Sequence, residues 1–180
     1  MAVYKIFPTK DATLYSYYPS MNTGLDAILE ASNTINIEGN PIISRYFTEF
    51  DTTEIQDIIN NKISGSTFNV YLKNSISTAQ GINADVTIET FPIAQSWNNG
   101  TGYYLDNPKV TDGVSWGFTT TSGSGNWSMS GSVSGYGYTG SYNSTYSIQG
   151  GGNWFTSSAL IPSISESFGL RSEKDLSLGV

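Results

Sequence analysis

The sequence contains neither cysteine nor histidine. Those side chains supply most thiol nucleophiles, imidazole bases and transition-metal ligands, so zinc sites, thiol catalysis and serine-histidine-aspartate triads are excluded. Only carboxylate chemistry, a lysine mechanism or an oxygen-ligated hard cation remains. Basic residues are scarce, eight Lys and Arg against fifteen Asp and Glu, for a net charge of -7. So few cations, widely spread, cannot neutralise a phosphate backbone, and nucleic acid is not an expected partner. No run approaches the roughly eighteen apolar residues of a membrane helix, so membrane insertion is not expected. The opening residues MAVYKIFP lack a basic segment followed by an apolar run, and no secretory signal is read there.

What is present is aromatic and polar. The 180 residues include twelve Tyr, eight Phe and four Trp, and only 13% are charged, which is not the composition of a disordered chain. A chain of this length buries about 70% of its unfolded surface, enough for one core. From Gly113 to Ser165 there is no Asp, Glu, Lys or Arg at all.

Alternation and turn residues predict strands at residues 3–7, 13–18, 27–31, 35–38 and 44–50, then 68–73 and 84–89. In the 44–50 strand, Tyr46, Thr48 and Phe50 share one face and Arg45, Phe47 and Glu49 the other. In the 68–73 strand Phe68, Val70 and Leu72 point inward. One short helix is predicted at 53–61, where Thr53 and Gln56 have capping-box spacing and Ile55, Ile58 and Ile59 recur at helical intervals. Many short strands and a single short helix favour a β-sandwich over α/β layering. Within the uncharged interval, residues 126–133 and 136–148 alternate small residues with aromatics. Tyr136, Tyr138, Tyr142 and Tyr146 fall on one parity, as a tyrosine ladder on a hairpin would.

The ordered landmarks Asp11-Ala12-Thr13-Leu14-Tyr15, Pro19, Asn22, Gly24, Asp26, then Ser44-Arg45, Phe50-Asp51, Ile63, Leu72 and Trp97-Asn98-Asn99-Gly100-Thr101-Gly102 span residues 8–118. Together they resemble the DNRLRE-type β-sandwich domains, which share a jelly-roll fold with carbohydrate-binding modules. The resemblance implies an all-β, jelly-roll-like antiparallel β-sandwich over residues 1–180, with residues 119–156 as a Gly/Ser/Tyr-rich insertion. Polar, Tyr-rich variants of that domain look like virion proteins of tailed bacteriophages, in head decoration, neck or tail appendages. Such a protein is made in the host cytoplasm, takes its place in the virion, and has other virion proteins and copies of itself as partners. The alternative is a carbohydrate-binding module contacting a host-surface glycan, with a carboxylate-based polysaccharide-degrading enzyme a weaker third reading. The sequence stops at Val180 where the family would add strands, so the chain is expected to be a fragment or to be completed by strands of a partner.

Several groups are weighed as sites. Glu49, Asp51, Glu54 and Asp57 sit where carboxylates favour a helix start, and capping is preferred to glycosidic catalysis. Asp11, Asn22 and Asp26 could ligate calcium, but read better as turn formers. Arg45 is expected to form a structural ion pair with a carboxylate. Trp97, Trp116, Trp127 and Trp154, with Tyr103 and Tyr104, offer flat rings to sugars, with Trp97 assigned to the core instead. The expected contact surface comprises Trp127, Tyr136, Tyr138, Tyr142 and Tyr146, engaged in packing or subunit contact in preference to glycan contact. No catalytic residue, metal or cofactor is expected.

Overall fold

A computed structural model of the chain describes residues 3–39, 41–65, 69–75, 86–90, 93, 95–127, 133–134, 150–152, 154–155, 164–168 and 173–178. The regular elements among the described residues are mostly strands, with antiparallel ladders and one short α-helix. They fall into two compact units, residues 1–63 with 93–154, and residues 64–92 with 155–180.

The first unit is organised by a three-stranded sheet in which β3 (Pro41–Glu49) lies between β1 (Lys10–Tyr15) and β2 (Ser32–Ile35). In the β1 ladder Ala12 lies opposite Phe47 and Leu14 opposite Arg45. Opposed residues share a face, so one face gathers Ala12, Leu14, Phe47 and Arg45, the division of β3 predicted from alternation. Ala12, Leu14, Ile43 and Phe47 are buried there with Trp97, Val114, Trp116 and Trp127, and Ile93 packs against them. Phe47 meets two indoles edge-on, with ring centroids 5.9 Å from Trp97 and 5.6 Å from Trp127. Three indoles and a phenyl ring give a short sheet a large apolar load, which explains how so polar a chain builds a core.

The glycine run Gly150-Gly151-Gly152 has positive φ throughout and lies flat on that core. A methyl group on Gly151 would sit 2.7 Å from the Trp116 ring, and one on Gly152 2.5 Å from Phe47 Cζ. Arg45 completes the clamp, donating from Nη1 to the Gly151 carbonyl at 3.1 Å, with its guanidinium carbon 5.0 Å from the Trp116 ring centroid. Burial holds the Arg45 guanidinium below its usual range, down to about 10, and it remains charged at neutral pH. The described partners of this arginine are a carbonyl and an indole face, a pairing by hydrogen bond and cation–π contact.

Helix α1 (Thr52–Asp57) is capped by Asp51, whose carboxylate accepts from the Thr53 N–H at 2.8 Å. The start therefore lies one residue before the predicted one, because Asp51 outcompetes Thr53 as a cap. The helix continues as a π-turn, Ile58–Lys62, which buries Ile58. Its wider winding brings Lys62 onto Asp57, five residues back, in an ion pair of 2.6 Å.

Three of the strands predicted in this unit are not formed as expected. Residues 3–8 and 27–31 are without regular structure, and of 35–38 only Ile35 is strand, at the end of β2, with residues 37 and 38 in the turn that follows. Residues 3–7 have strand-forming side chains but no backbone partner among the described residues, and a strand needs a neighbour. β1 begins at Lys10 and the chain turns at Ser16, so Tyr17 and Tyr18 leave the sheet.

In the second unit β4 (Val70–Ser75) pairs with β9 (Glu173–Leu178), with Leu72 opposite Leu176. β5 (Val86–Thr90) pairs with β8 (Ile164–Phe168). Val70, expected to point inward, is exposed at the end rung of its ladder, whereas Leu72 is half-buried; Phe68 lies outside the described residues. The two-residue strands β6 (Val133–Ser134) and β7 (Trp154–Phe155) complete the element order.

Candidate contact surface

The loops beyond β1 are held together by one buried amide. Asn22 is fully buried, and its Nδ2 donates to the carbonyls of Asn99 at 2.7 Å and Val114 at 2.9 Å. Its Oδ1 accepts from the N–H groups of Gly102 at 2.8 Å and Gly24 at 3.2 Å. An Asn amide has two donor hydrogens and two acceptor lone pairs, and all four are used. Glycines crowd around it for a steric reason: a methyl group on Gly24 would lie 2.1 Å from the Asn99 carbonyl oxygen, and one on Gly102 2.4 Å from the Asn22 carbonyl oxygen. Asn99 extends the network, its Nδ2 donating to the Gly24 carbonyl at 2.6 Å while its Oδ1 accepts from the Asp11 N–H at 3.2 Å.

On these anchored loops the structure gathers tyrosines. Tyr15 and Tyr104 have ring centroids 5.0 Å apart, Tyr17 and Tyr18 4.9 Å, and Tyr18 and Tyr104 6.3 Å. Tyr17 is 62% exposed, and Tyr18, Tyr103, Tyr104, Leu25 and Leu105 are exposed as well. Lys109 lies over this cluster, its Nζ 5.4 Å from the Tyr18 centroid and 5.0 Å from that of Tyr104, and it donates to the Tyr104 carbonyl. The acidic side chains nearby serve the loop backbone. Asp26 accepts from the Tyr104 N–H through both oxygens at 3.1 Å, and Asp106 accepts from the Tyr103 N–H at 2.7 Å. Behind the cluster Tyr15 donates to Glu30 at 3.2 Å. Burial, and then the negative charge of Glu30, push the Tyr15 phenol well above its ordinary range, so it stays protonated. Asp112 is held below the usual carboxylate range by the Thr101 side chain and N–H, at 2.7 and 2.9 Å, which fixes the base of the same loop.

Trp127, expected on a contact surface, belongs instead to the core: it is 6% exposed and its Nε1 donates to the Ser115 carbonyl at 3.2 Å. An indole so enclosed has no face to offer a partner. Tyr136, Tyr138, Tyr142 and Tyr146 lie outside the described residues. Trp97 is buried, as assigned, and so is Trp116. Trp154 lies in β7, and its side chain is outside the described residues. Tyr103 and Tyr104, alone of the rings considered for sugar stacking, are both described and exposed. Tyr17, Tyr18 and Lys109 were not singled out in the sequence. The signal was the Tyr-Tyr-Pro turn, which ends a strand and turns two rings outward.

The other weighed residues are dispersed. Asp51 caps the helix, Glu49 pairs with Lys10 at 2.7 Å and Asp57 with Lys62. Asn22, with its side chain fully occupied, has no capacity for a cation, and no group of three or more acidic side chains with metal-holding geometry occurs among the described residues. No helix among the described residues is long and apolar enough to cross a membrane. No protein-family model matches the chain, and neither a curated protein nor a solved structure matches it.

Proposed function

We propose that this chain is a non-catalytic contact module, a jelly-roll-like β-sandwich of a tailed-bacteriophage virion that works by assembly through its exposed tyrosines. The observation that carries the reading is the cluster of Tyr17, Tyr18 and Tyr104, with the exposed Tyr103 next along the chain, on loops fixed by the buried Asn22 amide. Tyrosine on a preorganised surface contributes contact area with little side-chain entropy to lose, which is why it is enriched where proteins meet.

Ring geometry favours a protein partner over a glycan. Tyr17 and Tyr18 are inclined at 81° and Tyr18 and Tyr104 at 76°, so these rings form no common platform on which a sugar chain could lie. Lys109 already stands over Tyr18 and Tyr104. Its charge and the backbone-committed carboxylates of Asp26 and Asp106 give the patch a polar rim.

The test is a double substitution, Tyr17→Ala with Tyr103→Ala, which leaves the described core intact. Incorporation into purified particles is expected to fall by about tenfold or more, the loss typical of a central interface residue. Unchanged incorporation, with lost retention on a glycan array, would transfer the surface to the carbohydrate-binding reading.

A further inference from the structure

The two edges of the β1-β3-β2 sheet are treated differently. Along β1 the outward backbone groups are covered: the Thr13 N–H donates to Thr23 Oγ1 at 3.0 Å, the Thr23 hydroxyl donates to the Thr13 carbonyl at 2.6 Å, and the Asp11 N–H donates to Asn99. Those side chains stand where another strand would pair.

At β2 no such cover occurs among the described residues. The Ile43 carbonyl accepts from the Ser16 N–H and its N–H donates to Ser16 Oγ, both at 2.9 Å, so Ile43 faces the β1 side of β3. Its neighbours Ile42 and Ser44 therefore bond to β2, where they lie opposite Thr34 and Ser32. Asn33 and Ile35 are left with their N–H and C=O groups directed away from the sheet, and no described residue pairs with them. Ile35 is 66% exposed and Ile37, in the turn that follows, fully so.

The chain also carries a segment that matches such an edge. Residues Val3 to Phe7 are rich in strand-forming side chains and have no backbone partner among the described residues, while Tyr4 holds the segment to its own unit by donating to the Lys62 carbonyl at 3.2 Å. Phe7 is 76% exposed and Val3 72%. The charges are complementary: residues 3–8 include Lys5 and no acid, whereas residues 27–41 include Glu30 and Glu38 and no Lys or Arg. We propose that residues 3–7 of one copy add as a strand to the open β2 edge of a second copy, with Val3 and Phe7 covering Ile35 and Ile37. Each copy carries one arm and one edge, so the chain associates with itself by strand addition.

The cysteine-free sequence makes the test direct. Two single-cysteine variants, Lys5→Cys and Thr34→Cys, are mixed as full-length chains and treated with a short bismaleimide, and light scattering is run in parallel. A heterologous covalent dimer is expected in the mixture, well above the homodimer formed by either variant alone. Asn33→Pro removes one outward N–H without touching the β3 ladder, and should weaken association by about tenfold or more at unchanged circular dichroism. Lys5→Pro should do the same from the other side. A wild-type chain that stays monomeric at every concentration would overturn the proposal. Association that survives both proline variants would overturn it too, and association lost with Asn33→Pro but kept with Lys5→Pro would remove the arm as the occupant.

Discussion

Asn22→Ala deletes an amide that joins four backbone groups from three separate stretches of chain. The side chain is fully buried, so water does not reach the groups it leaves behind. Two N–H groups and two carbonyls lose a partner, and each buried orphan costs about 1–3 kcal/mol. The Gly24 bond is long at 3.2 Å, and a carbonyl retains a second lone pair, so the lower end of that range applies. The sum is about 4 kcal/mol, a large fraction of the ~5–15 kcal/mol that holds a domain folded. Urea unfolding followed by tryptophan emission reads the right part of the molecule, because Trp97, Trp116 and Trp127 are buried in the first unit. Asn22→Asp adds a sign to the magnitude. Its second oxygen would face the Asn99 and Val114 carbonyls, which disfavours the carboxylate and raises its folded-state pKa above the unfolded ~3.9. The destabilisation is therefore greatest at neutral pH and is relieved as pH falls through the raised value. A loss below about 1 kcal/mol for Asn22→Ala, or an Asn22→Asp defect that deepens in acid, would refute the role of this amide as the tie between loops.

Other substitutions separate crowding from backbone strain. Gly24→Ala places a methyl group against a backbone carbonyl and should cost about 2–3 kcal/mol, whereas Gly39→Ala, at φ +82° in open space, should cost only about 1 kcal/mol in the same unfolding assay. Arg45→Lys keeps the charge but loses the guanidinium contact with Trp116 and the Nη1 bond to Gly151, and should lower stability by about 1–2 kcal/mol, read as a drop in Tm. For Asp112, whose folded pKa lies below its unfolded value, the stabilisation is complete above the usual carboxylate range and is lost as pH falls through the folded value. The Tm difference between wild type and Asp112→Asn should accordingly close in acid.

What could be read from the sequence depended on whether the signal was local. Alternation placed β3 and assigned its faces correctly, since Phe47 lies inward and Arg45 beside it on the same face. Asp51 as a helix cap was equally local. Asn22, Gly24, Asn99, Gly100 and Gly102 stood out in order along the chain, but that Asn22 bonds across 77 residues to Asn99 is a property of the folded loops, not of any window. Misplacements occurred where tertiary context decides. Residues 3–7 have strand chemistry without a strand beside them among the described residues, and Trp127, set among Ser, Gly and Asn, reads as exposed until the Phe47 ring and the Ser115 carbonyl are seen to hold it.

The Phe47 ring meets the Trp127 indole and, at its Cζ end, the backbone of Gly152. Chain departs and comes back across the width of a single phenyl group, so the distance to be closed is set by the core and not by what lies between. Under those boundary conditions, doubling the intervening length adds only about 0.6 kcal/mol of closure entropy. A change of length between Trp127 and Gly150 therefore leaves both pinned ends where the buried core holds them.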